Sequence, residues 1–299
     1  MTLRLTTPGP ENLPRVAEEL SRWQCDSGPL HLHPGDLGWH SLVGAERTAA
    51  DLRVWSRDGV AVAMGLRDAD VLRMAMDPTA RDDEAVGREI LRDFSDPEAG
   101  VFGPGEATVE ATGAQALRHL LLQEGWVEDE AWIPYRYGLR GRSEDPWSAG
   151  ARVRIESVGP ESGKQWVRVH WSAFKGGRLD PEVEKRFTDR WATMARGPFA
   201  GLARHLIAFD DQQNPVAVTT VWSAGVGRPG LIEPMGVHRD HRGRGFGAAI
   251  TRAGVTALKR MGASSATVNT ESSNAAANST YAAAGFISGA ANYDLKRPA

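Results

Sequence analysis

The residues best suited to chemistry lie in one run, Val237-His238-Arg239-Asp240-His241-Arg242-Gly243-Arg244-Gly245-Phe246-Gly247-Ala248, between a strand pattern and a helix pattern. Its glycines free the backbone to turn successive N–H groups toward an anion, and the positive end of the following helix dipole adds to the attraction. Arg239, Arg242 and Arg244 surround this nest with full charges, so a diphosphate is the natural guest. A nucleotide P-loop would need a Gly-Lys-Ser/Thr ending, and no lysine lies here. The run does satisfy the Gly-x-Gly-x-x-Ala pattern of dinucleotide-binding oxidoreductases, with Glu271 after the next strand. Against that alternative, only 28 residues follow Glu271, too few for the further βα units of such a fold, and three strands on short connections precede the loop.

A second run lies downstream: Asn274 stands seven residues before Tyr281, and Tyr281 four before Gly285-Phe286. Arg242-x-x-Gly245-x-Gly247 together with Asn-x6-Tyr-x3-Gly-Phe resembles the signature of the Gcn5-related N-acetyltransferases (GNAT) over roughly residues 152–297. The resemblance implies acetyl-CoA as acyl donor, lying where the 230–238 strand splays from the 265–270 strand. Its pyrophosphate would rest on the amides of Arg242, Gly243, Arg244, Gly245, Phe246, Gly247 and Ala248, and its pantetheine arm would bond like an added strand along Met235, Gly236 and Val237. A backbone N–H near Val237 would polarise the thioester carbonyl. Tyr281 matches the family's general acid, which protonates the leaving thiolate. Asn274 matches the residue that positions the last helix, and Asn278, one turn on, would also reach the cofactor. No metal is implied.

A protonated amine must lose a proton before it attacks, which asks for a carboxylate or imidazole facing the cleft. Glu233 is two residues from Met235 and four from Val237, so on an alternating strand all three share a face. A salt bridge to a nearby arginine is the competing role for Glu233, and His238 is the other candidate base. The implied reaction is direct transfer of an acetyl group to a primary amine. The acceptor is expected to be a small molecule, because tandem members of the family act on small amines. A non-catalytic acyl-CoA sensor or scaffold would need the glycine loop but not Tyr281.

Positioning these residues falls to an α/β fold with a mixed sheet. In the second half the patterns read β-α-α-β-β-β-α-β-α-β: strands at 152–157, 205–209, 216–222, 230–238, 265–270 and 286–295, and helices at 161–174, 181–196, 247–261 and 274–284. Asp210 to Pro215 reads as a hairpin loop.

The first half echoes the second. Leu3-Arg4-Leu5 with Gly9-Pro10-Glu11 returns as Val153-Arg154-Ile155 with Gly159-Pro160-Glu161. Val60-Ala61-Val62 returns at Val216-Ala217-Val218, Met76 and Arg81 at Val237 and Arg242, and Gly125-Trp126 at Gly285-Phe286. Two tandem acyltransferase (GNAT) domains are expected: 1–140, a linker at 141–151, and 152–299. The matching loop of the first copy reads Arg81-Asp82-Asp83-Glu84, carboxylates where a diphosphate would sit, and Leu121 stands where Tyr281 would be. The first domain therefore reads as a degenerate copy with a structural or substrate-binding role.

Composition sets the frame. The 299 residues are 41% hydrophobic and 24% charged with a net charge of −3, ordinary for a globular chain and unlike a protein that holds duplex DNA by neutralising phosphates. No apolar run approaches a membrane span. The single Cys25 excludes an internal disulfide and fits a cytoplasmic protein, and the skew toward arginine, alanine and glycine fits a bacterial one. No nucleic-acid or membrane partner is expected, and a homodimer is compatible with the composition. Of the ten tryptophans, Trp39, Trp132, Trp171, Trp191 and Trp222 are candidates for a substrate pocket, though core packing explains each more cheaply. The group His31, His33, Asp36 and His40 lacks the one-turn spacing of a zinc motif and reads as hydrogen-bonding residues.

Overall fold

A computed structural model describes residues 3–141 and 153–298, so the expected linker lies outside the described residues apart from Gly141. The first half runs β1 (Arg4–Thr6), α1 (Leu13–Arg22), α2 (Pro34–His40), α3 (Ala45–Asp51), β2 (Leu52–Arg57), β3 (Val60–Asp68), β4 (Val71–Met76), α4 (Glu84–Ser95), β5 (Ala107–Glu110), α5 (Gln115–Gln123) and β6 (Val127–Gly138). The second half follows the same plan: β7 (Arg154–Ser157), α6 (Lys164–Phe174), α7 (Pro181–Arg196), β8 (Ala203–Phe209), β9 (Pro215–Trp222), β10 (Pro229–Val237), α8 (Phe246–Arg260), β11 (Ser265–Glu271), α9 (Ala275–Ala283), β12 (Ile287–Ser288) and β13 (Asn292–Arg297).

Local chemistry explains the boundaries. Asp58-Gly59, both at positive φ, makes the tight turn between β2 and β3. Asp180 caps α7 by accepting from the N–H groups of Glu182 and Val183, with Pro181 in the first turn. Gly262 at φ +83° ends α8. Asp210 accepts from the amides of Gln212 and Asn214, holding the β8–β9 loop.

All the strands except β12 join one path in the order β1-β2-β3-β4-β5-β13-β6-β11-β10-β9-β8-β7. The two halves exchange their last strands. β13, the end of the second half, lies between β5 and the first part of β6. The remainder of β6, from Trp132 to Gly138, pairs antiparallel with β11 of the second half. The sequence pattern over 286–295 suggested one strand. Two are found, because β12 and β13 both run antiparallel along β6 but the strand lapses after Gly289, whose N–H donates to Pro134 O, before β13 goes on to pair with β5 as well.

One face of the sheet carries a core common to both halves, in which Leu13, Leu20, Leu37 and Leu52 pack with Trp166, Trp191, Trp222 and Leu231. The opposite face carries separate cores, one under α4 and α5 and others under α8 and α9. The close approach of the halves depends on two glycines of α2. A Cβ at Gly35 would stand 2.6 Å from Trp222, and one at Gly38 would stand 2.2 Å from its ring. Among the described residues no helix is long and apolar enough to cross a membrane.

Candidate active site

β10 and β11 are parallel and pair only from Pro229↔Ser265 to Leu231↔Thr267. Beyond that point they part, and β10 keeps only β9 as a neighbour. The His238 N–H donates to Val216 O on the β9 side, so by alternation the peptide groups of Val237 and Met235 face the opening. These are the positions the resemblance assigns to an added strand.

A bulge interrupts β10 between Ile232 and Met235, where three steps oppose the two from Val221 to Thr219. One extra residue inverts the facing of everything before it. Met235 and Val237 consequently pack toward α8, beside Ile250 and Phe246. Glu233 turns instead toward α2 and the first half, which differs from the shared face expected from spacing alone. The bulge is pinned at both carbonyls: Trp222 Nε1 donates to Glu233 O at 2.7 Å, and Thr219 Oγ1 to Pro234 O at 2.9 Å.

The opening leads into a cavity of about 560 Å³ between the halves. Glu233, Tyr281 and Met235 line it from the second half, and Asp36, Arg73 and Glu110 from the first. Arg73 sits at the centre of the carboxylates, with Nη1 3.3 Å from Asp36 and 3.5 Å from Glu233, and Nε 3.3 Å from Glu110. The salt bridge expected as the competing role for Glu233 is therefore present, with Arg73 as its partner. Burial raises Glu233 to about 7, the Asp36 carboxylate adds to the rise, and Arg73 opposes it. Burial likewise lifts Glu110 to about 8 despite Arg73, and Asp294 to about 6.

Tyr281 projects from α9 into the same cavity and is nearly buried. Burial, with the nearby Glu233 and Glu271 carboxylates, holds its phenol above the usual range, so it stays protonated. The ring lies 5.5 Å from Tyr135 of the exchanged strand β6. Asn274 caps α9 by accepting from Ala277 N–H. Asn278, expected to reach the cofactor, instead directs its polar atoms into the protein: Oδ1 accepts from Tyr135 Oη at 2.9 Å, and Nδ2 donates to Glu271 O and Asn274 O. Its place is to tie α9 to β6 and β11.

The glycine loop is open. Gly243 and Gly245 adopt φ +75° and +82°, and a Cβ on either would meet nothing within 4 Å. No side chain caps α8, which leaves its first amides free for an anion. Arg242 donates to Ala173 O at 2.7 Å, so part of its guanidinium braces the loop against the end of α6. Arg239 lies 3.7 Å from Asp240, and the exposed Arg244 pairs with no carboxylate among the described residues. His238 caps the short turn 239–241 and stands apart from the cavity.

At the matching place in the first half the start of the helix is capped by the protein's own side chain. Asp83 caps α4, its Oδ1 accepting from the Ala85 and Val86 amides and its Oδ2 pairing with Arg57 at 2.6 Å. Leu32 donates its N–H to Met74 O at 3.0 Å, on the strand that corresponds to β10. Leu121 is fully buried where a phenol would stand. The His31–His40 group is divided: His33 bonds Gly35 N–H and Pro229 O and His40 bonds Thr48, while His31 and Asp36 line the cavity. Of the five tryptophans, Trp39 and Trp132 line the cavity, Trp191 and Trp222 are fully buried, and Trp171 bonds Gly177 O.

Asp36, Arg73 and Glu110 are the site residues that sequence reasoning missed. Only Asp36 had drawn notice, for its spacing from the histidines. No local signal marks an arginine as the future neighbour of a glutamate 160 positions away.

Residues 164–286 match the profile of the Acetyltransferase (GNAT) family. No curated protein matches the chain. Among solved structures, the chain is similar to a tandem GNAT protein from the clavulanic acid biosynthesis pathway, with 17% identity, 99% of this chain and 98% of that one covered, and a TM-score of 0.65. It is also similar to a GNAT-family acetyltransferase from Colwellia psychrerythraea (13% identity, 99% of both chains, TM-score 0.59). A GCN5-related N-acetyltransferase from Sphaerobacter thermophilus aligns at 16% identity over 99% of this chain and 95% of that one, with a TM-score of 0.56. At such identities the likeness is one of fold, and it spans both halves.

Proposed function

Residues 164–286 are a domain of the GNAT acetyltransferase family, and from that premise we propose that the chain transfers an acetyl group from acetyl-CoA to the primary amine of a small molecule. The observation that carries the proposal is the parting of β10 from β11, with an uncapped glycine loop at the end of β10 and, beside the parted strands, a cavity lined by both the Glu233 carboxylate and the Tyr281 phenol.

The residues present fit an acyl-CoA. The first amides of α8 and the positive-φ turns at Gly243 and Gly245 suit its diphosphate, and the free peptide groups of Met235 and Val237 suit its pantetheine arm. When bound, it supplies an activated acyl group as a thioester. Glu233, held near neutrality, takes a proton from the ammonium of the acceptor, directly or through water. Tyr281 keeps its proton until a thiolate needs it. Trp39 and Leu231 line the same cavity and give it an apolar wall. The first half closes the cavity and binds no CoA of its own, because Asp83 and Leu32 occupy the corresponding positions.

A panel of primary amines incubated with acetyl-CoA, read by release of free CoA and by thermal shift, tests the proposal. Stabilisation by CoA and amine-dependent thiol release are expected. Stabilisation by NAD with none by CoA would overturn the reading, and CoA binding without turnover on any amine would leave the sensor reading in its place.

A further inference from the structure

We infer that Arg73, on the half that lacks a cofactor loop, is a positioning residue for Glu233, and that with Asp36 it governs when Glu233 is ionised. The inference rests on the reading of Glu233 as the base.

Three carboxylates share one guanidinium: Asp36 at 3.3 Å, Glu110 at 3.3 Å and Glu233 at 3.5 Å. An arginine facing one carboxylate alone would hold it ionised far below neutrality. Divided among three, its hold on each is weaker, and the desolvated Glu233 stays near the pH at which a base is useful. The arrangement is fixed from both sides. Asp36 accepts the His33 N–H at 2.6 Å in the capping box of α2. That helix is set against Trp222 by Gly35 and Gly38, and the Trp222 indole holds the Glu233 carbonyl. Arg73 is set on β4 at its last pairing with β5, opposite Glu110. The charged and titratable groups acting on Glu233 are thus Arg73 from β4, Asp36 from α2, Glu110 from β5 and Tyr281 from α9; Asp294 of β13 acts on Arg73 and Glu110. Three of the four direct groups, Asp36, Arg73 and Glu110, lie in the half that retains no CoA loop, which gives that half a part in the chemistry.

The test follows Glu233 itself. Protein labelled with ¹³C at the glutamate side-chain carboxyl is titrated by NMR, with Glu233→Gln identifying the resonance. Arg73→Gln should move the Glu233 midpoint up by about one pH unit or more, and Asp36→Asn should move it down. Arg73→Lys, which keeps the charge, should restore most of the first shift. The acidic limb of turnover, measured with whichever amine of the panel releases most CoA, should move in the same opposite directions, about tenfold in rate per unit on that limb. A purely structural role would lower stability in both variants without moving the midpoints apart. If Glu233→Gln leaves turnover intact, the base reading falls. If Glu233→Gln abolishes turnover while Arg73→Gln and Asp36→Asn leave the midpoint in place, that reading stands and the present inference is overturned.

Discussion

Gly245→Asp transplants into the second half the carboxylate that closes the first. The backbone there is left-handed, at φ +82°, and a Cβ meets no atom within 4 Å, so the side chain enters open space. The left-handed conformation costs about 1–2 kcal/mol for a residue with a Cβ. The effect on the anion is larger. A carboxylate about 5 Å from one phosphate charge repels it by about 1 kcal/mol in water and about 3 kcal/mol at an effective dielectric of 20. Two diphosphate charges double this, a loss of at least roughly 30-fold in CoA affinity. Gly245→Ala separates the terms, since it carries the backbone cost without the charge. Calorimetric titration with CoA should find the alanine variant within several-fold of wild type and the aspartate variant far weaker. Equal affinities for the two variants would refute the assignment of this loop to the diphosphate.

Other expectations follow from the same geometry. Tyr281→Phe should keep the CoA thermal shift and slow turnover by about 10²-fold or more, the usual worth of a positioned acid; unchanged turnover would remove the phenol from the mechanism. Turnover should fall as pH drops through about 7, because Glu233, raised by burial and Asp36, acts as a base only when ionised; a profile flat from pH 6 to 8 would contradict its role. Gly38→Ala forces a methyl to within 2.2 Å of the Trp222 ring and should destabilise by about 1–3 kcal/mol, read as a lower melting temperature, while also slowing turnover through the bulge that Trp222 holds. Asp83→Ala should cost about 0.5–2 kcal/mol for the lost cap without creating a second CoA site, so calorimetry should still count one CoA per chain. Because Asp83 titrates below the usual carboxylate range, its contribution is present at neutral pH and fades as the pH falls through that lowered value.

Much of this was legible in the sequence. The α7 helix announced both its ends, and the strand–glycine loop–helix order around 237–248 was readable, because each depends on residues close in the chain. The repeat sets acidic Asp82-Asp83-Glu84 against the basic loop, and both stand just before a helix in the structure, although the sequence could not say that Asp83 would cap α4. What escaped notice was non-local or broke a period. The bulge at Glu233 turned that side chain to the other face, and no pattern of alternation contains an extra residue. Asp36 and Arg73 meet Glu233 only because two glycines let α2 rest on an indole. Strand exchange left no mark either, since β6 and β13 read as ordinary final strands whichever sheet receives them.

That exchange has a consequence for synthesis. A ribosome completes Val127–Gly138 long before Asn292–Arg297, yet β5 and part of β6 wait for β13 as their neighbour. The first half of the chain is therefore the last to be sealed. Until residue 297 emerges, two strand edges stand open to any passing segment, and the nascent protein must be guarded against pairing with another copy of itself.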